Sequence, residues 1–158
     1  MAEVQMEKQR VERTVAESLG KDWIGSIREG ALDRLAQFCS PRVTSRLLLP
    51  GGLVSLNTAA DLVSRYRDWF DGYTAIRVEA SRVGQVGSKL GIFYRLLLQD
   101  GGVSERIEQQ LYCSLKDGHV QQLHLVCSGF HPVQPGEPAP AAGLPQSGMA
   151  DPAAAGSS

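Results

Sequence analysis

Five polar residues have types and spacing that could do chemistry: His124, Arg95, Glu108, Tyr112 and Gln110. His124 stands among Leu123, Leu125 and Val126, and an imidazole can serve as a general base near neutral pH. Arg95 interrupts a dense apolar run over 90–98. A guanidinium there needs a partner or a cavity wall, and its donors suit a carboxylate or enolate oxygen. Glu108 is a partner within reach on the next strand. Glu108, Gln110 and Tyr112 share one strand parity. Such a row forms a polar pocket wall, the wet outer face of a sheet, or the seam of a dimer. In the catalytic version His124 is the base, Arg95 the oxyanion partner, and Tyr112 or Glu108 an orienting group.

Those side chains need strands to carry them, and the sequence predicts four. Runs over 76–86, 90–98, 104–115 and 119–130 are separated by Gly87-Ser88, Asp100-Gly101-Gly102 and Asp117-Gly118, which are hairpin signals. Alternation slips between Ala80 and Val83, which predicts a bulge or bend in the first run. Helices precede the meander. Val4, Val11, Val15 and Leu19 recur at helical spacing, with a stop or bend expected at Gly20. A second helical stretch carries Trp23 to Phe38, with a break near Gly30, and ends at Ser40-Pro41. A short strand over 43–49 precedes the turn Pro50-Gly51-Gly52.

Thr58 and Asp61 then look like a helix cap, followed by an amphipathic helix with Leu62, Val63, Tyr66, Trp69, Phe70 and Tyr73 on one side. Trp69, Phe70 and Tyr73 supply either a pocket floor or core packing. Helices followed by an antiparallel meander predict an α+β fold, with the helices on one face of the sheet.

The chain has 158 residues and a formal net charge of -1. That length fits one domain. Residues 1–132 are expected to form it, and 133–158 to be a solvated Pro/Gly/Ala-rich tail. No basic stripe marks a nucleic-acid partner. The charged N-terminus has no apolar stretch of the signal-peptide kind, and no run reaches membrane-span length. A cytoplasmic setting is the expectation. Cys39, Cys113 and Cys127 are too widely spaced for a zinc site, so no metal is expected. No Gly-rich phosphate loop or nucleophile elbow occurs, and no cofactor is expected.

The order of these elements is familiar. The carrying residues are Leu48-Leu49-Pro50-Gly51-Gly52, the helix ending in Trp69-Phe70, Arg106-Ile107-Glu108-Gln109-Gln110, and Asp117-Gly118-His119-Val120. The last of these leads into Cys127-Ser128-Gly129-Phe130-His131-Pro132. Together they resemble the nuclear transport factor 2-like superfamily over residues 7–132, and within it the SnoaL-like group. The resemblance implies a cone: a strongly curved antiparallel sheet with the N-terminal helices in its concave face and a cavity open at one end. It implies a homodimer and a cavity for a small apolar organic ligand; the helix pattern offers Trp69, Phe70 and Tyr73, and the strand row Gln110, as the ligand contacts.

Members act as cyclases, isomerases, epoxide hydrolases, dehydratases or binding domains, so the site must decide. SnoaL-like cyclases carry an acidic base on the sheet, and here His124 stands in that stretch. The hydrolases' Asp–Arg–Asp relay is missing, because Leu97 follows Arg95 and no Asp follows Asp117 on the last strand. An isomerase-like site needs a carboxylate base and a Tyr donor, for which Glu108 and Tyr112 are available. The expectation is therefore cofactor-independent proton transfer on an apolar substrate. Its alternative is a non-catalytic ligand-binding or dimerisation domain.

Overall fold

The computed structural model describes residues 1–134. Of the expected tail, only Val133 and Gln134 fall inside that range; the rest lies outside the described residues.

Helix α1 runs through Ala2–Arg28 without a break at Gly20. The glycine there serves packing rather than termination. A methyl on its Cα would sit 2.5 Å from Val83 Cγ1, so the absent side chain lets the helix lie close against the sheet. Leu19, Trp23, Ile24 and Ile27 are buried on that side. Each contributes about 1.5–3 kcal/mol by leaving water. Together they outweigh the helix penalty of about 1 kcal/mol carried by each of Gly20 and Gly25.

The helix stops at Gly30, as its sequence suggests. Gly30 has φ +72°, its N–H donates to Ile27 O, and the Ala31 N–H donates to Ser26 O. This pair of bonds is a Schellman stop. The expected second helical stretch is divided: Trp23, Ile24 and Ile27 belong to the continuation of α1, and the part beyond Gly30 is a 3-10 segment, Leu32–Phe38, anchored by buried Leu32 and Leu35.

Strands β1 (Cys39–Leu49) and β2 (Gly52–Leu56) form a hairpin. β1 begins earlier than the sequence predicts, and its register breaks between Cys39 and Thr44, around Pro41. Helix α2 (Ala59–Phe70) is capped as expected, with Thr58 Oγ1 accepting from the Asp61 N–H at 3.0 Å. The meander follows as β3 (Ala75–Val86), β4 (Lys89–Asp100), β5 (Val103–Lys116) and β6 (His119–Cys127). A last two-residue strand, β7 (His131–Pro132), pairs with β5. Asp117 and Gly118 both take positive φ, the geometry of a tight hairpin turn.

The sheet order is β2-β1-β6-β5-β4-β3. β1 runs parallel to β6, so the curved sheet is mixed rather than wholly antiparallel. The chain returns to the sheet through α2, and that crossover permits the parallel pair. The expected bulge is present: the β3–β4 register shifts across Glu79. One face of the sheet carries Leu47, Ile92, Tyr94, Leu96, Ile107, Leu111, Leu123 and Leu125, all buried in one cluster with α1 and α2.

The Gly20 contact gives a stability test. Gly20→Ala is expected to lower stability by about 1–3 kcal/mol through overpacking, despite the better helix propensity of Ala. In a Val83→Ala background the same change should be neutral or stabilising. Urea midpoints of the four proteins check this, and an equal loss in both backgrounds would refute the close contact.

Candidate functional site

Strand parity divides the polar residues between two faces. Tyr112 pairs in register with His124, and Arg95 with Glu108. These four and Gln110 therefore share one face, as spacing predicts for Glu108, Gln110 and Tyr112. That face is the convex one, outside the cone. His124 is exposed, Glu108, Gln110 and Tyr112 are half-buried, and none of them joins the interior cluster. His124 and Arg95 do not converge on the interior; of the readings left open for the polar row, the registers give the outer face of the sheet. Their alternate neighbours Leu123, Leu125, Tyr94 and Leu96 take the concave side. Of the expected ligand contacts, Phe70 is core at 2% exposure, Trp69 and Tyr73 are half-buried against it, and Gln110 is outside.

The convex face holds a charge network. Arg95 Nε donates to Glu108 Oε1 at 2.7 Å. Arg106 holds Glu79 with two bonds, Nε to Oε1 at 2.7 Å and NH2 to Oε2 at 3.1 Å. The bulge puts Glu79 on this side. Its carboxyl is held below the usual range, first by the Arg106 hydrogen bond and then by the charges of Arg106, Arg95 and Arg77, against the opposing effect of burial. Arg95–Glu108 joins register partners on adjacent strands, whereas Arg106–Glu79 reaches from β5 across β4 to β3.

Inside the cone the polar atoms form one chain of hydrogen bonds that sequence reasoning missed. Trp23 Nε1 donates to Tyr66 OH at 3.3 Å. The Tyr66 and Tyr94 hydroxyls lie 2.8 Å apart. Tyr94 OH donates to Gln109 Oε1 at 2.5 Å, and Gln109 Nε2 donates to Cys127 Sγ at 3.5 Å. Trp23, Tyr66, Tyr94 and Gln109 are each 0% exposed. An indole can only donate, so Tyr66 accepts from it and must donate onward to Tyr94. The available signal was Gln109, a lone amide among Ile107, Leu111 and Cys113 on one parity.

Burial raises the hydroxyls of both tyrosines above their ordinary range and pushes the Cys39 and Cys113 thiols up to about 12. All four stay protonated at neutral pH. The side chains buried on the concave side, among the described residues, include no carboxylate and no imidazole. The relay can fix positions and donate hydrogen bonds, but it offers no proton acceptor of the kind a base catalyst needs.

Two further features flank this interior. A concavity of about 730 Å³ lies between α1 and the β3–β4 and β5–β6 turns, lined in part by Ala16, Leu90, Leu115, Glu12, Lys89 and Asp117. None of the sequence-predicted site residues lines it. At the end of α2, Tyr73 stacks on Phe130 at 6.3 Å and donates to Glu105 Oε1 at 2.7 Å. Among the described residues no group of His, Cys, Asp and Glu side chains could hold a metal ion. No described helix is long and apolar enough to cross a membrane.

Tyr94→Phe is expected to cost about 1–3 kcal/mol, because Gln109 Oε1 and the Tyr66 hydroxyl hydrogen both lose their partner. Chemical denaturation with an unchanged slope would report it, and a neutral effect would mean the relay is not formed. The raised thiols predict an alkaline effect as well. Unfolded cysteines release protons from the ordinary value of 9.0 upward, while the folded Cys113 holds its own to about 12. Stability present below pH 9.0 is therefore lost as pH rises to about 12. Cys113→Ala should flatten that loss in melts across the range, and an unchanged slope would contradict it.

No protein-family model matches the chain, and no curated protein does. Solved structures do. An LEH-like epoxide hydrolase of M. tuberculosis superposes with a TM-score of 0.58 at 13% identity, over 74% of this chain and 85% of that one. A putative polyketide cyclase from Xanthomonas campestris gives 0.59 at 17%, over 72% and 90%. A putative ketosteroid isomerase from Kribbella flavida gives 0.56 at 18%, over 82% and 93%. At these identities the likeness concerns the backbone, and the three names differ in the activity they state. The helices in the concave side of the curved sheet are the cone of the nuclear transport factor 2-like fold, and that is the fold of this chain.

Proposed function

We propose that the protein is a non-catalytic module of the cone fold that works as a homodimer. One observation carries the reading: the side chains whose types suggested chemistry, His124, Glu108 and Arg95, lie on the face of the sheet opposite the enclosed interior. His124, Glu108 and Arg95 are convex, whereas the fully buried polar side chains of the interior, among the described residues, are Trp23, Ser26, Ser45, Tyr66, Tyr94, Gln109 and thiols. The Glu105 carboxylate, in register with core Leu98, is half-buried at the edge and bonded to Tyr73. A base must come within hydrogen-bond reach of the proton it removes, and a strand side chain cannot cross its own sheet. The interior is also filled, with Trp23, Tyr66, Tyr94 and Phe70 among its largest fully buried side chains.

A second reading, binding of a small apolar organic molecule, has a separate observation behind it. Trp69, Tyr73 and Phe130 are half-buried against the core, and the names of the solved structures above include a hydrolase, a cyclase and an isomerase. A ligand of this kind would enter past those rings and offer an oxygen to the relay.

Sedimentation equilibrium of the full chain tests the main reading. A mass of twice 17.1 kDa is expected, and a monomer at micromolar concentration would sink it. For the second reading, titration with β-naphthol should quench tryptophan emission and raise Tm in the wild type, with a smaller effect in Trp69→Ala. No response in either protein counts against ligand binding of this class.

A further inference from the structure

Resting on the homodimer reading, we infer that the second copy docks on the first turns of α1, as an antiparallel pair of helices. α1 has 27 residues and is about 40 Å long. Its buried side chains begin at Leu19, and every residue from 2 to 15 is exposed. A helical segment of that length with no covered face is marginal in water. Yet it carries an apolar stripe, Val4, Val11 and Val15, exposed by 74%, 51% and 46%. Together with Lys8 these residues recur at spacings of four, three and four, which is the seam of a two-helix pair. The stripe runs along the flank of α1, turned away from the side that Trp23 and Ile27 bury. Met6 and Arg13 stand on the opposite side of the helix from it.

The charges argue for a second copy as the occupant and fix its direction. In a parallel pair Lys8 would meet Lys8 of the second copy, a repulsive contact in the seam. An antiparallel pair, with its two-fold axis between the Lys8 and Val11 turns, sets Val4 over Val15 of the second copy. Lys8 then lies beside Val11 of the second copy, with Glu12 of the second copy next to it on the same flank. Two Lys8–Glu12 ion pairs form, one from each end by symmetry. Among the described residues neither Lys8 nor Glu12 has an ion pair or side-chain hydrogen bond within its own chain. Over residues 2–18 Glu3, Glu7, Glu12 and Glu17 face Lys8, Arg10 and Arg13. That near balance gives no attraction to an anionic lipid surface, which a basic amphipathic helix would have.

The lower end of the stripe offers a seat. The concavity of about 730 Å³ lies between Val11, Val15 and Ala16 on α1 and Leu90 and Leu115 at the end of the sheet. With Val4 of the second copy over Val15, the first turns of the second helix close over this concavity and extend the apolar contact beyond the seam.

Sedimentation equilibrium tests the pair through its charges. Lys8→Glu and Glu12→Lys each set like charges together at both ends of the seam. Each protein alone should dissociate roughly 10-fold more readily than the wild type. An equimolar mixture of the two should recover the association as a heterodimer, because every cross-helix contact is then between opposite signs. Mixing leaves the repulsion inside each helix in place, so a merely structural effect would not be rescued. Val11→Glu/Val15→Glu should weaken the dimer at least about 100-fold, with near-UV circular dichroism of the core unchanged.

A covalent test is independent of affinity. The three native thiols are buried. Val4→Cys/Val15→Cys should give disulfide-linked dimers on oxidation, since within one helix these positions are about 16 Å apart and cannot bridge. Met6→Cys/Arg13→Cys, on the opposite side, should stay unlinked. A wild-type dimer that ignores both charge changes and gives no Val4→Cys/Val15→Cys cross-link overturns this surface and leaves the homodimer reading standing. A monomeric wild type overturns both, and a dimer that appears only when residues 135–158 are removed would give the stripe to the chain's own end instead.

Discussion

The indole N–H of Trp23 has only one thing it can do, which is donate, and the interior of the cone is organised around that constraint. Tyr66 accepts from it and so must pass its own hydrogen to Tyr94, which passes one to Gln109 Oε1. Each bond joins a different pair of elements: α1 to α2, α2 to β4, β4 to β5. A buried hydroxyl without a partner costs about 1–3 kcal/mol, so the four elements are held in one mutual arrangement. Apolar packing alone would tolerate sliding. The close passage of Gly20 against Val83 belongs to the same arrangement, because α1 must lie near the sheet for Trp23 to reach Tyr66.

The convex face obeys a different balance. Arg95 is 6% exposed and Glu79 nearly as enclosed. A charge in such a place is tolerated only when paired, since an isolated one costs several kcal/mol. Arg95 with Glu108 and Arg106 with Glu79 satisfy that requirement across neighbouring or near-neighbouring strands. The ion pairs are therefore conditions for placing charge on a crowded sheet surface. They are weak evidence for chemistry, and a guanidinium already held by a carboxylate is poorly suited to a substrate oxyanion.

Much of this was legible in the sequence. The meander, the bulge before Val83, the Thr58 cap, the stop near Gly30 and the shared parity of Glu108, Gln110 and Tyr112 all follow from local rules. Three things did not. Gly20 reads as a helix stop until its contact with Val83, sixty-three residues away, is known. The parallel pairing of β1 with β6 is a tertiary choice that no local pattern encodes. Above all, parity groups side chains without saying which group faces inward. Arg106, Glu108, Gln110 and Tyr112 form the polar set on β5, and Ile107, Gln109, Leu111 and Cys113 the apolar one. The hydrophobic effect puts the second set inside and the first on the outer face.

The two faces remain distinct because the strands correct their own phase. On β3 the inward residues are Ile76 and Val78 before Glu79, but Val83 after it. The extra residue at the bulge reverses the parity and lets β3 keep pairing with β4 along its length. On β6 the inward set changes from Val120 to Leu123, Leu125 and Cys127, where the pairing with β5 shifts between Ser114 and Leu115. An unbroken alternation would have turned half of each strand inside out, driving Glu79 into the core or Val83 onto the surface. These irregularities let a curved sheet keep a filled, hydroxyl-bonded interior on one side and a charged, partly apolar surface on the other. His124, Glu108 and Arg95 are thereby separated from the enclosed space by the thickness of the sheet itself.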